Sequence, residues 1–320
     1  MHKAPGKSHR EGISLIELME MFPDEETAAK WFESVRWPNN DDCHCPHCGS
    51  FNVQRKENRK PAPFRCRDCR AFFSVRQGSV MEHSRIPLRK WAIAIYLNAV
   101  SLKGVSSMRL HRDLKITQKS AWFMAHRLRE AFASEEGLFA GPVEVDESYF
   151  GGKRKNMSNA QRKALKKAGV GRGSVGKTAV VGMKDRDSNK IVATPVQSTD
   201  APTLQGFVEG HTEADAKIYS DEAAAYKGID RDHEWVNHSV SEYVRDQAHT
   251  NGMESFWATI KRAHDGTFHH MSAQHLHRYV NEFAGRHNIR DKDTIKQMQS
   301  IVAGMIGKRL MYRELAGNAA

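Results

Sequence analysis

Hydrophobic side chains in the first forty residues recur at helical spacing in two short runs. Ser14 followed by Glu17 forms a capping box, Pro23 interrupts the pattern and EETAAKWFESV resumes it, which predicts two helices within residues 14–36. Between Cys43 and Cys69 the periodicity vanishes and Cys, Pro and Arg take over, as in a module too small to bury a core of its own. Pro87 then opens a strong helix, because Leu88, Trp91, Ala92, Ile95, Tyr96 and Ala99 fall on one face. SSMRLHRDL, a turn near Ile116 and Thr117, and a periodic run through Ala121, Met124, Ala125, Leu128, Ala131 and Phe132 complete a three-helix, helix-turn-helix-like unit.

Beyond residue 140 the pattern changes to that of strands: VEVDESYF (143–150), TAVVGMKDR (178–186), KIVATPV (190–196), AKIYSDE (216–222) and HEWVNHSV (233–240). Polar DSN between the second and third predicts a hairpin, a helix runs from Thr203 to about Gly210, and helices dominate after Asn251. The fold class is therefore α+β and multidomain. The expected parts are a helical segment (1–40), a cysteine module (41–80), the three-helix unit (84–135), an α/β domain (140–290) with an insertion at 151–177, and a helical tail (291–320) suited to packing or self-association.

With 320 residues, 39% apolar and 27% charged, the chain is an ordinary globular protein and neither collagen-like nor wholly disordered. Its most apolar stretch, Trp91 to Val100, falls far short of the roughly 20 residues a membrane span needs. MHKAPGKSHREG at the start lacks the apolar segment of a secretory signal, which predicts a cytoplasmic location and metal rather than disulfide chemistry for the cysteines. A formal charge of +11 favours a polyanionic partner. Nine of the positive charges, among them Lys153, Arg154, Lys155, Lys166 and Lys167, lie between Gly151 and Lys177 with no acid among them, as a solvated arm or a grip on a nucleic-acid backbone would require. Arg112, Lys119, Arg127 and Arg129 are expected to face outward from the three-helix unit, where they suit DNA phosphates or simply solvent.

Cys45-Pro-His-Cys48 and Cys66-Arg-Asp-Cys69 are two C-x2-C knuckles with seventeen residues between them. Four thiolates so spaced can surround Zn²⁺ tetrahedrally and leave no open position, which predicts a structural role, with Cys43, His44 and His47 as nearby substitutes. Gly171-Arg-Gly-Ser-Val-Gly176-Lys177-Thr178 matches the phosphate-loop pattern letter for letter. A nucleotide site there would need a strand before the loop and a helix after it, whereas TAVVGMKDR reads as a strand.

Three oxygen ligands on separate elements make the strongest constellation. Asp146 lies in the first strand, where Glu144, Asp146 and Ser148 share a face opposite Val143 and Val145, and Asp221 ends the strand AKIYSD. TNGMESFWATIKR predicts a helix with Met253, Phe256, Trp257 and Ile260 on its core face, Glu254 and Lys261 on a neighbouring stripe, and Asn251 one turn before Glu254. Hard carboxylate ligands suit Mg²⁺, and a pair of such ions about 4 Å apart is the usual requirement of phosphoryl transfer between DNA strands.

VDESYFGGKRK, SDEAAAY and HTNGMESFWATIKRAHDGTFHHMS with HLHRYVNEF resemble the signatures of bacterial insertion-sequence transposases of the DDE type, in the group with a zinc ribbon and an ISXO-like catalytic domain. The resemblance spans roughly residues 15–290. It implies a ribonuclease-H-like catalytic fold and an Asp146, Asp221 and Glu254 triad holding two Mg²⁺ or Mn²⁺ ions. Asn251 is the alternative third member, and Lys261 is the DNA-contacting base. It further implies double-stranded DNA as partner, both element ends and target, a homo-oligomer on that DNA, and a nucleoid-associated cytoplasmic location. His249, His264, His269, His270, His275 and His277 crowd the third motif, where hydrogen bonding or phosphate contact is favoured over a second metal site. The rival functions are a catalytically inactive zinc-dependent DNA-binding regulator and a phosphate-loop ATPase.

Overall fold

Ser14 accepts the Glu17 N–H while Glu17 accepts the Ser14 N–H at 2.6 Å, and this reciprocal box starts α1 (Leu15–Met21). Asp24 caps α2 (Glu25–Arg36) by accepting the Thr27 N–H at 2.8 Å. In the computed structural model, residues 11–39, 42–56, 58–133, 137–152, 157–167, 176–221, 224–236 and 250–317 are described. They divide between two units, Met1–Ser134 with Ile289–Ala320 and Glu135–Asn288.

In the first unit three short antiparallel strands, β1 (Val53–Arg55), β2 (Phe64–Cys66) and β3 (Phe72–Phe73), form the cysteine ribbon. Three helices follow: α3 (Leu88–Val100), α4 (Ser107–Leu114), capped by Ser106, and α5 (Gln118–Glu130), capped by Thr117. A single buried cluster unites Leu18, Phe32, Phe73, Trp91, Leu110 and Leu128 with Met298, Ile301, Val302 and Met305, so the C-terminal tail packs back into this unit. Arg127 and Arg129 correct the expectation of an outward basic face, being only 8% and 3% exposed. The Arg127 guanidinium sits 4.0 Å from the centre of the Phe123 ring and donates to the Leu310 carbonyl at 3.4 Å. Burial lowers its pKa to about 10. Helical periodicity alone could not show this for Arg127, because the tail carbonyl it meets lies about 180 residues further along the chain.

The second unit is a five-stranded mixed sheet. Its strands are β4 (Val143–Phe150), β5 (Thr178–Asp185), β6 (Ile191–Val196), β7 (Lys217–Asp221) and β8 (Asp232–Val236), in the order β6-β5-β4-β7-β8. The first three pair antiparallel, whereas β7 and β8 continue parallel to β4. The insertion contributes α6 (Asn159–Lys167), and α7 (Ala201–Glu209) connects β6 to β7 under an Asp200 cap. The expected strand at 233–240 is described only as far as Val236. Alternation along β4 sends Val143 and Val145 into one cluster with Leu204 and Val208 of α7. Phe150 joins a second cluster with Met253, Phe256, Trp257 and Ile260 of α8 (Asn251–Ala263) and Val280 and Phe283 of α9 (Leu276–Asn288). Each of those large side chains contributes roughly 1.5–3 kcal/mol by leaving water, which pins α8 across the face of β4 that carries Asp146. The remaining helices, α10 (Thr294–Met305) and α11 (Tyr312–Ala316), belong to the first unit. Among the described residues no helix is long and apolar enough to cross a membrane.

Candidate active site and metal centres

Parallel pairing of β4 with β7 sets Val143 beside Ile218 and Glu144 beside Tyr219, and continuing that register brings Asp221 level with Asp146. Carboxylate oxygens of Asp146, Glu147 and Asp221 all lie within 4.8 Å of one another. Burial, followed by the charges of Glu147 and Asp221, pushes the Asp146 carboxyl up to about 7. Burial also raises Glu147 to about 7, against the opposing effect of a hydrogen bond donated by the fully buried Tyr226 hydroxyl. Three hard oxygen donors whose charges repel one another at this range are the donor set a divalent cation requires, so the residues fit the expected metal.

Helix α8 supplies the rest of the constellation. The residue before it, Thr250, makes no side-chain cap; instead Glu144, 3% exposed on β4, accepts the N–H groups of Gly252 at 2.7 Å and Met253 at 3.2 Å. The Arg186 guanidinium holds the other Glu144 oxygen at 2.9 Å. A negative charge aimed at a helix N-terminus is favourable, and here the strand that supplies it is the one carrying Asp146. Gly252 makes room for the contact, since a Cβ there would lie 2.6 Å from the Glu144 carboxylate. One turn further on, the Trp257 indole N–H donates to Asp146 Oδ2 at 3.1 Å. Gly182, paired with Asp146 in the sheet, leaves space for that ring.

Asn251 and Glu254 are exposed on the first turn of α8. Glu254 lies outside the group of three close carboxylates, yet its charge helps to raise the Asp146 pKa. Lys261, also exposed, lines a groove at the C-terminal end of β4. Lys166 and Lys167 are exposed on α6, and Arg112 and Lys119 on α4 and α5, whereas Lys153, Arg154, Lys155 and His249 fall outside the described residues. Sequence reasoning passed over Glu147, Glu144, Tyr226 and Trp257 as site residues. Alternation sets Glu147 opposite Asp146 along β4, so spacing alone does not show that the two carboxylates and Asp221 lie within 4.8 Å of one another.

In the ribbon, Sγ atoms of Cys45 and Cys69 are 3.6 Å apart, as are those of Cys48 and Cys66, and all four lie within 4.8 Å. Tetrahedral Zn–S bonds of about 2.3 Å demand nearly this spacing. Backbone N–H groups of Cys69 and Asp68 bring the Cys66 thiol down to about 7, in favour of the thiolate a metal binds. Asp68 also accepts from Asn52 at 2.9 Å and from Ser50, tying one knuckle to the other. The four cysteines thus fit a structural zinc site, and their Sγ atoms make a complete set of four ligands without Cys43, His44 or His47. At the phosphate-loop look-alike, Thr178 begins β5, so a strand rather than a helix follows Lys177; residues 171–175 lie outside the described residues.

Residues 139–288 match the ISXO2-like transposase domain, and residues 23–71 match the transposase zinc-ribbon domain. The chain is also similar to "Uncharacterized protein in transposable element ISH50" of Halobacterium salinarum, 26% identical over 290 residues that cover 88% of this chain and 97% of that protein. The first match ends at Asn288, the last residue of the mixed-sheet unit, and the second takes in all four ribbon cysteines. The chain thus carries both a transposase zinc-ribbon domain and an ISXO2-like transposase domain, the two parts that the sequence motifs resemble.

Proposed function

We propose that this chain cuts DNA at the ends of its insertion sequence and joins the freed ends to a target. Asp146, Asp221 and Glu254 are its catalytic carboxylates, with Asn251 the alternative in third place. The observation that carries this reading is the convergence of Asp146 and Asp221 on adjacent parallel strands, with Trp257 of α8 hydrogen-bonded to Asp146. A ribonuclease-H-like domain is supported by the sheet order and by the reversal of direction between the β6-β5-β4 and β7-β8 halves.

Mg²⁺ or Mn²⁺ bound by these carboxylates would supply charge neutralisation at the attacking and leaving oxygens. The chain's own residues provide position. Trp257 fixes the rotamer of Asp146, Tyr226 orients Glu147, and Glu144 holds α8 so that Asn251 and Glu254 face the same region. Water attacks the phosphodiester, the 3′ oxygen leaves with its electron pair and takes up a proton, and the resulting 3′-OH later attacks a target phosphodiester, giving up its proton and displacing the target's own 3′ oxygen, which takes up a proton in turn. No bond to the protein forms. Lys261 steadies the negatively charged backbone as a point charge.

The first unit, with its zinc ribbon and helices α3 to α5, is the element-recognition part. Exposed Arg112 and Lys119 there, and Lys166 and Lys167 of α6, with Lys153, Arg154 and Lys155 of the same insertion, are phosphate contacts. Synapsis of two ends by a homo-oligomer on the DNA of the nucleoid completes the scheme. Purified protein incubated with a duplex bearing the element's terminal sequence and Mg²⁺ should generate a mapped 3′ end, and Asp146→Asn should bind the duplex without cutting it. Cutting by Asp146→Asn at the parental rate would overturn the proposal.

A further inference from the structure

A groove of about 530 Å³ opens where β4 ends, lined by Tyr149, Lys177, Lys261, His264, His269 and His270. Asp265 is the one acid on its wall among the described residues, and it is engaged by His264 Nδ1 at 2.9 Å. The wall is thus rich in cationic and N–H donor groups, the chemistry that selects a phosphate. Part of it is a π-helical turn, His264–Phe268, followed by His269 at φ +58°. Both are irregularities that recur where a backbone has been shaped for binding. Lys177, the lysine of the phosphate-loop look-alike, stands on this wall with Lys261 of α8.

Position relative to the carboxylates defines the ligand. Tyr149 follows Asp146 by three residues of strand, roughly 10 Å at about 3.3 Å per residue. Lys261 follows Glu254 by seven residues of helix, again roughly 10 Å at about 1.5 Å per residue. Strand and helix run in the same direction, since Glu144 meets Gly252 and Phe150 meets Trp257. The groove therefore lies roughly 10 Å from the acids, which is at most about three nucleotide steps at the roughly 3.4 Å per step of a stacked strand and fewer for an extended one. Tyr149 is 38% exposed and offers a ring on which a base can stack.

We propose that this groove binds the DNA strand within about three nucleotides of the scissile phosphate, with the backbone on Lys177 and Lys261 and an unpaired base against Tyr149. The inference rests on the catalytic reading above and names a subsite of it.

The test is equilibrium binding of the full-length protein to a fluorescent single strand of about 12 nucleotides, without divalent metal, across about 50–200 mM salt. Lys177→Ala should weaken binding about five- to tenfold and reduce the log–log salt slope by about 0.7, whereas Lys177→Arg should restore both. Tyr149→Ala should weaken binding about tenfold and leave the salt slope unchanged. Parental affinity and slope in Lys177→Ala and Tyr149→Ala would overturn the subsite, as would displacement of the strand by ATP at concentrations where an equal charge of inorganic phosphate has no effect. Asp146→Asn separates the two readings: if it stops cleavage while the groove variants bind normally, only the subsite falls, and if it still cuts, the catalytic reading falls.

Discussion

Glu144 on β4 accepts the backbone N–H of Gly252 at 2.7 Å, so the strand that carries Asp146 also holds the first turn of the helix that carries Asn251 and Glu254. One buried side chain thereby couples two elements that are more than a hundred residues apart in sequence.

Glu144→Ala should be costly, because it leaves two helix N–H groups and the Arg186 guanidinium without their carboxylate. Removing one member of a buried ion pair typically costs about 3–5 kcal/mol, to be read from urea unfolding followed by tryptophan fluorescence. Gly252→Ala should act on the same contact, so the double variant should lose clearly less than the two single losses added together. Strict additivity would mean that Gly252 and Glu144 do not share a role.

The third carboxylate can be assigned by comparing two isosteric variants. Glu254→Gln should reduce end cleavage by roughly 10²-fold or more, as removal of a group aimed at transition-state charge does. Glu147→Gln keeps an acceptor for Tyr226 and should instead raise the Mg²⁺ concentration needed for half-maximal cleavage. If Glu147→Gln abolishes cleavage while Glu254→Gln cuts normally, the triad is Asp146, Glu147 and Asp221.

Stability without divalent metal should fall as the pH rises. The folded pKa values of Asp146 and Glu147, both about 7, exceed ordinary unfolded values near 4, so the folded state binds more protons between about pH 4 and 7. Their stabilising contribution is complete below that window and lost as pH passes about 7. Thermal melts of the metal-free carboxylate site should give a lower Tm at pH 8 than at pH 5.5. Asp146→Asn should flatten the dependence, and Mg²⁺ should restore much of the loss at pH 8. A Tm that climbs over this range in the parent but not in the variant would contradict the sign.

Zinc removal should disturb more than the ribbon. Cys45 and Cys66 belong to the same buried cluster as Phe32, Phe73 and Trp91, and the Phe64 and Phe73 rings stack 5.4 Å apart beside them. Structural zinc contributes about 10 kcal/mol or more to small ribbons, so Cys66→Ser should release the metal and lower the Tm by roughly 10 °C or more. Metal analysis paired with calorimetry checks both, and a zinc-free variant that melts like the parent would show that the core stands without the metal.

Local chemistry was legible along the chain wherever neighbours in sequence are also neighbours in space. The Ser14 and Glu17 box, the paired cysteine knuckles, the buried stripe of α8 and the hairpin of β5 and β6 all follow from spacing, because helix, strand and knuckle repeat at short fixed intervals. The strand context of Lys177 was legible for the same reason. Tertiary structure alone decided that Glu144 caps α8, that Glu147 turns towards Asp221, that the tail buries Arg127, and that Lys177 and Lys261 share a groove. Each of these is set by which surfaces leave water together when distant segments pack, and no periodicity within a single segment carries that information.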